Sequence, residues 1–140
     1  MSHVFTVDAS VFVSAFTPSE PAHQASKDFL HQARQSDAPL IVPTLVIVEI
    51  AAAIGRGQGK PDLGYAFAMQ VNRFPDITFV PLDDGLAEEA AEVAASHRLR
   101  GSDAVYVAVA RRFGAALVTL DSEQSQRAGS LVPVRLPDAA

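Results

Sequence analysis

The feature that most constrains this chain is that its β-branched runs are short and each passes quickly into a helix-forming stretch. Residues 3–8 (HVFTVD) end in an acid and run directly into the helix-forming residues 9–16. Ser19, followed by Pro21, is the expected cap of an amphipathic helix to about Gln35. Residues 40–42 form a very short strand, and Pro43-Thr44 cap a helix over 45–54. Beyond the glycine-rich loop 55–61 come a helix at 62–72, a strand at 77–80 and a half-buried helix from about Asp84. Gly101-Ser102-Asp103 open a helix over 104–113 whose body is apolar enough to lie inside the domain. A strand at 115–120 stops at Asp121-Ser122, and residues 132–135 give a last edge strand, where a proline is tolerated. Strands alternating with helices too apolar for one-sided burial predict an α/β fold, a central, mostly parallel sheet with helices on both faces.

Composition narrows the function. The 140 residues fit one domain, 1–140, and with 49% hydrophobic residues, 19% charged residues and a mean hydropathy of +0.17 the chain must fold. That apolar excess also suits a subunit interface. No cysteine is present, which excludes disulfides, thiolate zinc sites and cysteine nucleophiles. The longest uncharged runs, 9–19 and 38–48, are too short to cross a bilayer, and the N-terminus lacks a signal-peptide pattern. A cytoplasmic protein is expected. The formal net charge of −5 argues against a nonspecific nucleic-acid coat, so any contact with RNA or DNA must be local.

Four acids stand out. Asp8 and Asp121 sit at the carboxyl ends of expected strands, where α/β sheets bind ligands. Glu49 interrupts an apolar helix, where a carboxylate needs a cation or hydrogen-bond donors. Asp103 starts a helix, where the dipole favours negative charge. Each has a plain structural explanation as a turn, cap or exposed sliver of helix. If they converge, however, they can all stay ionised only beside a divalent cation, and oxygen-only ligation selects Mg²⁺ or Mn²⁺.

Residues 7–13 (VDASVFV), 46–51 (VIVEIA), 100–110 (RGSDAVYVAVA) and 117–121 (LVTLD) resemble, in order and spacing, the motifs of PIN-domain nucleases, most of all the VapC-type toxin ribonucleases. Pro21-Ala22-His23 fits the same pattern. The resemblance implies a three-layer sandwich, a Mg²⁺ or Mn²⁺ site built by Asp8, Glu49, Asp103 and Asp121, and endonuclease activity on RNA. It also implies a homodimer neutralised by a VapB-like antitoxin. Ser10 and Thr119 match hydroxyl positions that accompany the acids and would orient water or the scissile phosphate. After Asp121 the pattern departs, with Ser-Glu-Gln-Ser in place of an aromatic two or three residues on.

Other chemistries fare worse. His3, His23, His31 and His97 show no paired metal spacing, and no Gly-x-Ser-x-Gly elbow exists. Arg98, Arg100, Arg111 and Arg112 flank the Asp103 helix, and Arg56 and Lys60 lie on the glycine loop; these could carry an RNA backbone or simply solubilise helix ends. A receiver-like signalling domain would need an acidic pair after the first strand, and a phosphatase would need Asp-x-Asp, whereas the chain has Asp8-Ala9-Ser10. A PIN fold that binds RNA or a partner without cleaving is the remaining alternative.

Overall fold

The structure, a computed structural model, describes residues 3–140. Along it run β1 (Phe5–Val7), α1 (Ala9–Phe16), α2 (His23–Gln35), β2 (Leu40–Pro43), α3 (Leu45–Gly55), α4 (Pro61–Asn72) and β3 (Ile77–Val80). Then follow α5 (Asp84–His97), α6 (Gly101–Phe113), β4 (Ala116–Val118), α7 (Ser122–Ala128), β5 (Val134–Arg135) and a closing 3-10 turn (Pro137–Ala139). The five strands form one sheet in the order β3-β2-β1-β4-β5, and every pairing is parallel. Phe5, Thr6 and Val7 of the central strand are all buried; since successive side chains point to opposite faces, both faces of the sheet are covered. On one of them α6 lies across β1, β2 and β4, with Ala104 to Ala110 wholly inside the core. The α/β expectation therefore holds, and the strand order differs from the 2-1-3-4-5 of receiver-type domains.

From β1 the chain builds β2 and β3 on one side, then crosses to build β4 and β5 on the other. The crevice between the carboxyl ends of β1 and β4 is the switch point at which such sheets bind ligands. Register fixes its walls: Val7 pairs with Val118, and the Asp8 N–H donates to the Val118 carbonyl at 2.9 Å.

Several element boundaries differ from those expected. Residues 17–22 form successive turns, with Glu20 N–H on Thr17 and His23 N–H on Glu20, so α2 starts at His23 without a side-chain cap and Ser19 stays outside it. Thr44 likewise provides no capping side chain to α3; its N–H is held instead by the Val80 carbonyl at 3.0 Å. β4 ends at Val118, since its pairing to β5 covers only Leu117 and Val118. α6 begins at Gly101, which puts Asp103 inside its first turn. The helix α7 is an addition to the expected elements: its sequence SEQSQRA has no apolar period, and its start is fixed by the Asp121 carboxylate accepting from the N–H groups of Glu123 and Gln124. No described helix is long and apolar enough to cross a membrane.

The hairpin of α3 and α4 closes around Gly64. A Cβ there would stand 2.7 Å from the Gly55 nitrogen and 2.9 Å from the Ala51 carbonyl oxygen, both rigid backbone atoms. Gly64→Ala gains about 1 kcal/mol in helix propensity, but forcing the helices apart costs about 1–3 kcal/mol. The urea midpoint should fall in Gly64→Ala and not in Gly101→Ala, where a Cβ meets open space. A higher midpoint in Gly64→Ala would show that the two helices separate without penalty.

Candidate active site

Asp8 follows β1 in extended conformation, and its Oδ2 accepts the Ser10 N–H at 2.9 Å, capping α1. Only 8% of the residue is exposed. Burial pushes its pKa above the ordinary carboxylate range; hydrogen bonds from Ser10 and the Gln124 amide pull it down, and the Asp121 charge adds to the rise. Asp103, also 8% exposed, is raised first by burial, against the opposing Arg100 charge, with Asp8 and Asp121 pushing upward. Glu49 is half-buried on α3, and the Tyr106 hydroxyl donates to its Oε1 at 2.6 Å. Its pKa too is raised, by burial and by the charges of Asp8 and Asp103, against the Tyr106 and Ser102 hydrogen bonds. Asp121 caps α7 through Oδ1, which leaves Oδ2 facing the other acids' side of the crevice, where Arg100 meets it.

These four side chains, from four separate elements, line one open pit of about 460 Å³ together with Ser10, Ser102, Arg100 and a fifth acid that sequence reasoning misses, Glu20 from the turns before α2. A larger cavity of about 970 Å³ lies at the amino ends of the strands beside Phe5 and Phe29; the crevice at the carboxyl ends is where the chemistry-bearing groups meet. Among the described residues, Arg100 is the one cation lining the pit. Its Nε stands 3.1 Å from Asp103 Oδ2 and its terminal nitrogen 2.7 Å from Asp121 Oδ2, with 65% of the side chain exposed. Among the described residues, Asp8 and Glu49 have no such partner, and no three acids or histidines already stand as a ready-made cage for an ion. The donor set still fits a hard divalent cation. It is all oxygen, and burial first, with mutual repulsion after it, raises three of its pKa values, so the ionised forms gain from an added cation.

The hydroxyls brace the frame. Ser10 Oγ accepts the Leu120 N–H at 3.1 Å, tying the start of α1 to the end of β4, and Thr119 Oγ1, sequestered from solvent, accepts the Asp121 N–H at 3.0 Å. Of the basic residues considered above, Arg100 alone reaches the pit; Arg112 is paired with Glu89 at 3.2 Å. No histidine lines the pit, and His23 Nδ1 is engaged with the Ser14 carbonyl at 2.8 Å. Sequence reasoning misses Tyr106, which reads as apolar helix body; a buried tyrosine hydroxyl needs a partner, and that is the available signal. Burial and the neighbouring acids Asp8 and Glu49 raise the Tyr106 pKa far out of reach, so its hydroxyl remains a donor. Gln124 is missed too, and nothing in the local sequence marks it.

The fold has clear relatives. A VapC20 toxin of Mycobacterium tuberculosis, described as cleaving the sarcin-ricin loop, matches with a TM-score of 0.74 at 22% identity, over 94% of this chain and 98% of the other. VapBC2 of Rickettsia felis, bound to a promoter DNA fragment, matches with a TM-score of 0.70 at 11% identity, over 95% and 98%. A toxin–antitoxin complex of Klebsiella pneumoniae matches with a TM-score of 0.64 at 15% identity, over 99% and 100%. The chain has no significant match among curated proteins. The family model described as PIN domain matches residues 5–130, a span that contains all five acids lining the pit, and the chain therefore belongs to the PIN-domain family.

Proposed function

We propose that this protein is a Mg²⁺- or Mn²⁺-dependent endoribonuclease acting in the cytoplasm as the toxin of a toxin–antitoxin pair. The observation that carries this reading is the convergence of Asp8, Glu49, Asp103 and Asp121 on one pit at the carboxyl end of the sheet. Asp8 and Asp103 would hold the ion, with Glu49 and Asp121 completing the set. When bound, the ion supplies water activation and charge stabilisation at the scissile phosphate. The protein's part is preorganisation: the Ser10 N–H fixes Asp8, the Tyr106 hydroxyl fixes Glu49, and the cap of α7 fixes Asp121. Hydrolysis of this kind leaves a 5′ phosphate and needs no 2′-hydroxyl, in keeping with a pit free of histidine.

A VapB-like antitoxin would restrain the enzyme by presenting Arg or Lys to the acids. The pairing of Arg100 with Asp103 and Asp121 supports the idea that a guanidinium is a good fit there. Exposed Val48, Leu63 and Tyr65 on α3 and α4 support a homodimer that covers apolar surface.

Asp8→Asn and Asp103→Asn should each lower Mg²⁺-dependent cleavage of single-stranded RNA about 100-fold or more. Purified Asp103→Asn with full activity would sink the assignment, and wild type that binds RNA without metal-dependent cleavage would favour a binding module.

Stability should move the other way in Asp8→Asn. A carboxylate whose pKa is raised by folding weakens the fold as pH climbs through that raised value, and imposes no penalty below the unfolded value near 3.8. Asparagine keeps the helix cap. In chelator, the thermal midpoint of Asp8→Asn should exceed that of wild type at pH 7, with the gain vanishing towards pH 3. A gain independent of pH would contradict the electrostatic cause.

Sedimentation at micromolar concentration should report a dimer, and a clean monomer would refute the interface reading.

A further inference from the structure

Gln124 is fully buried in the first turn of α7, beneath the pit rather than in its lining. Its main-chain N–H donates to Asp121 Oδ1 at 3.1 Å, and its Nε2 donates to the Asp103 carbonyl oxygen at 3.3 Å. The same amide lies near enough to the Asp8 carboxylate to favour its ionised form. One residue thus joins the end of β1, the first turn of α6 and the start of α7, the three places that carry Asp8, Asp103 and Asp121. Its Oε1, by contrast, has no hydrogen-bond partner among the described residues.

A buried amide oxygen left unpaired is unfavourable, and an apolar side chain of the same length would fill the space without that penalty. The polar group at this position therefore needs a reason other than packing.

We infer that Gln124 is a positioning residue of the carboxylate site: its amide sets the separation and orientation of Asp8 and Asp103 that a divalent cation requires. It touches neither ion nor RNA. The inference rests on the metal-dependent reading proposed above. Partners that orient metal ligands from behind typically change affinity by about 10–100-fold when removed.

The test is Gln124→Met, which keeps the unbranched length and removes the amide, with Gln124→Leu as a second apolar variant. Two quantities are measured: Mn²⁺ affinity by calorimetry, and the thermal midpoint in chelator. They should move apart. The midpoint should stay near that of wild type, because losing the Nε2 donor to the Asp103 carbonyl is offset by losing the orphaned oxygen, while Mn²⁺ affinity falls about 10-fold or more. A residue that merely packs would give the reverse, with Mn²⁺ affinity unchanged whatever the midpoint does, and that result overturns the inference. Affinity and midpoint falling together in both variants would report general disruption and overturn it as well. Asp8→Asn serves as the reference. Wild type that takes up no Mn²⁺, or Asp8→Asn that binds it as wild type does, overturns the metal reading and this inference with it. Wild type that binds Mn²⁺ with both Gln124 variants matching it overturns the inference alone.

Discussion

Carboxylates that share a small, poorly hydrated volume repel one another, and each must be held ionised by something other than water. For Asp8 and Asp121 part of that burden falls on main-chain N–H groups. Asp8 and Asp121 are not simply placed in the pit; they are the N-caps of α1 and α7. The N–H groups that restrain them are the ones each helix would otherwise leave unsatisfied at its first turn. Site and fold are therefore the same interaction seen twice. Since β1 and β4 are neighbours in register, with Val7 opposite Val118, the two caps are brought face to face by the sheet itself.

The other two acids depend on α6, the most deeply buried helix of the molecule. Asp103 and Tyr106 are three residues apart, hence on one face, so the helix presents a carboxylate and a phenol in the same direction. The phenol meets Glu49 on α3, which fixes an acid on a neighbouring element without adding charge. A helix buried over Ala104 to Ala110 cannot rotate without disturbing the core on both sides, and this rigidity is what a site built from four elements requires.

Much of this architecture is legible in the amino-acid sequence alone. The alternation of short β-branched runs with apolar helices points to the parallel sheet, because no other architecture buries strands such as 5–7 and helices such as 104–110 together. Asp8 and Asp121 can be read because strand ends are where the period-2 pattern stops, and Glu49 because a charge inside an apolar run has few explanations. What stays hidden depends on tertiary geometry. α7 is polar along most of its length and is defined by a cap and its packing rather than by a hydrophobic stripe. Gln124 looks like any surface glutamine until the sheet edge and α6 close over it. Arg100 reads equally well as a helix-end charge or as a phosphate contact, and only the fold turns it onto Asp103 and Asp121.

Arg100 also shows why the site is partly, not wholly, neutralised. Its guanidinium is largely in water, so its attraction to Asp103 and Asp121 is screened and modest, as for exposed pairs in general. It does not reach Asp8 or Glu49, the two acids whose raised pKa values have no cation set against them. Two of the pit's acids, Asp103 and Asp121, are thus met by a group that can swing out at little penalty, while Asp8 and Glu49 rely on hydrogen bonds. A buried arginine would have locked the acids into a structural ion pair. One on the rim leaves them restrained but available, so that a second positive charge still has Asp8 and Glu49 to meet.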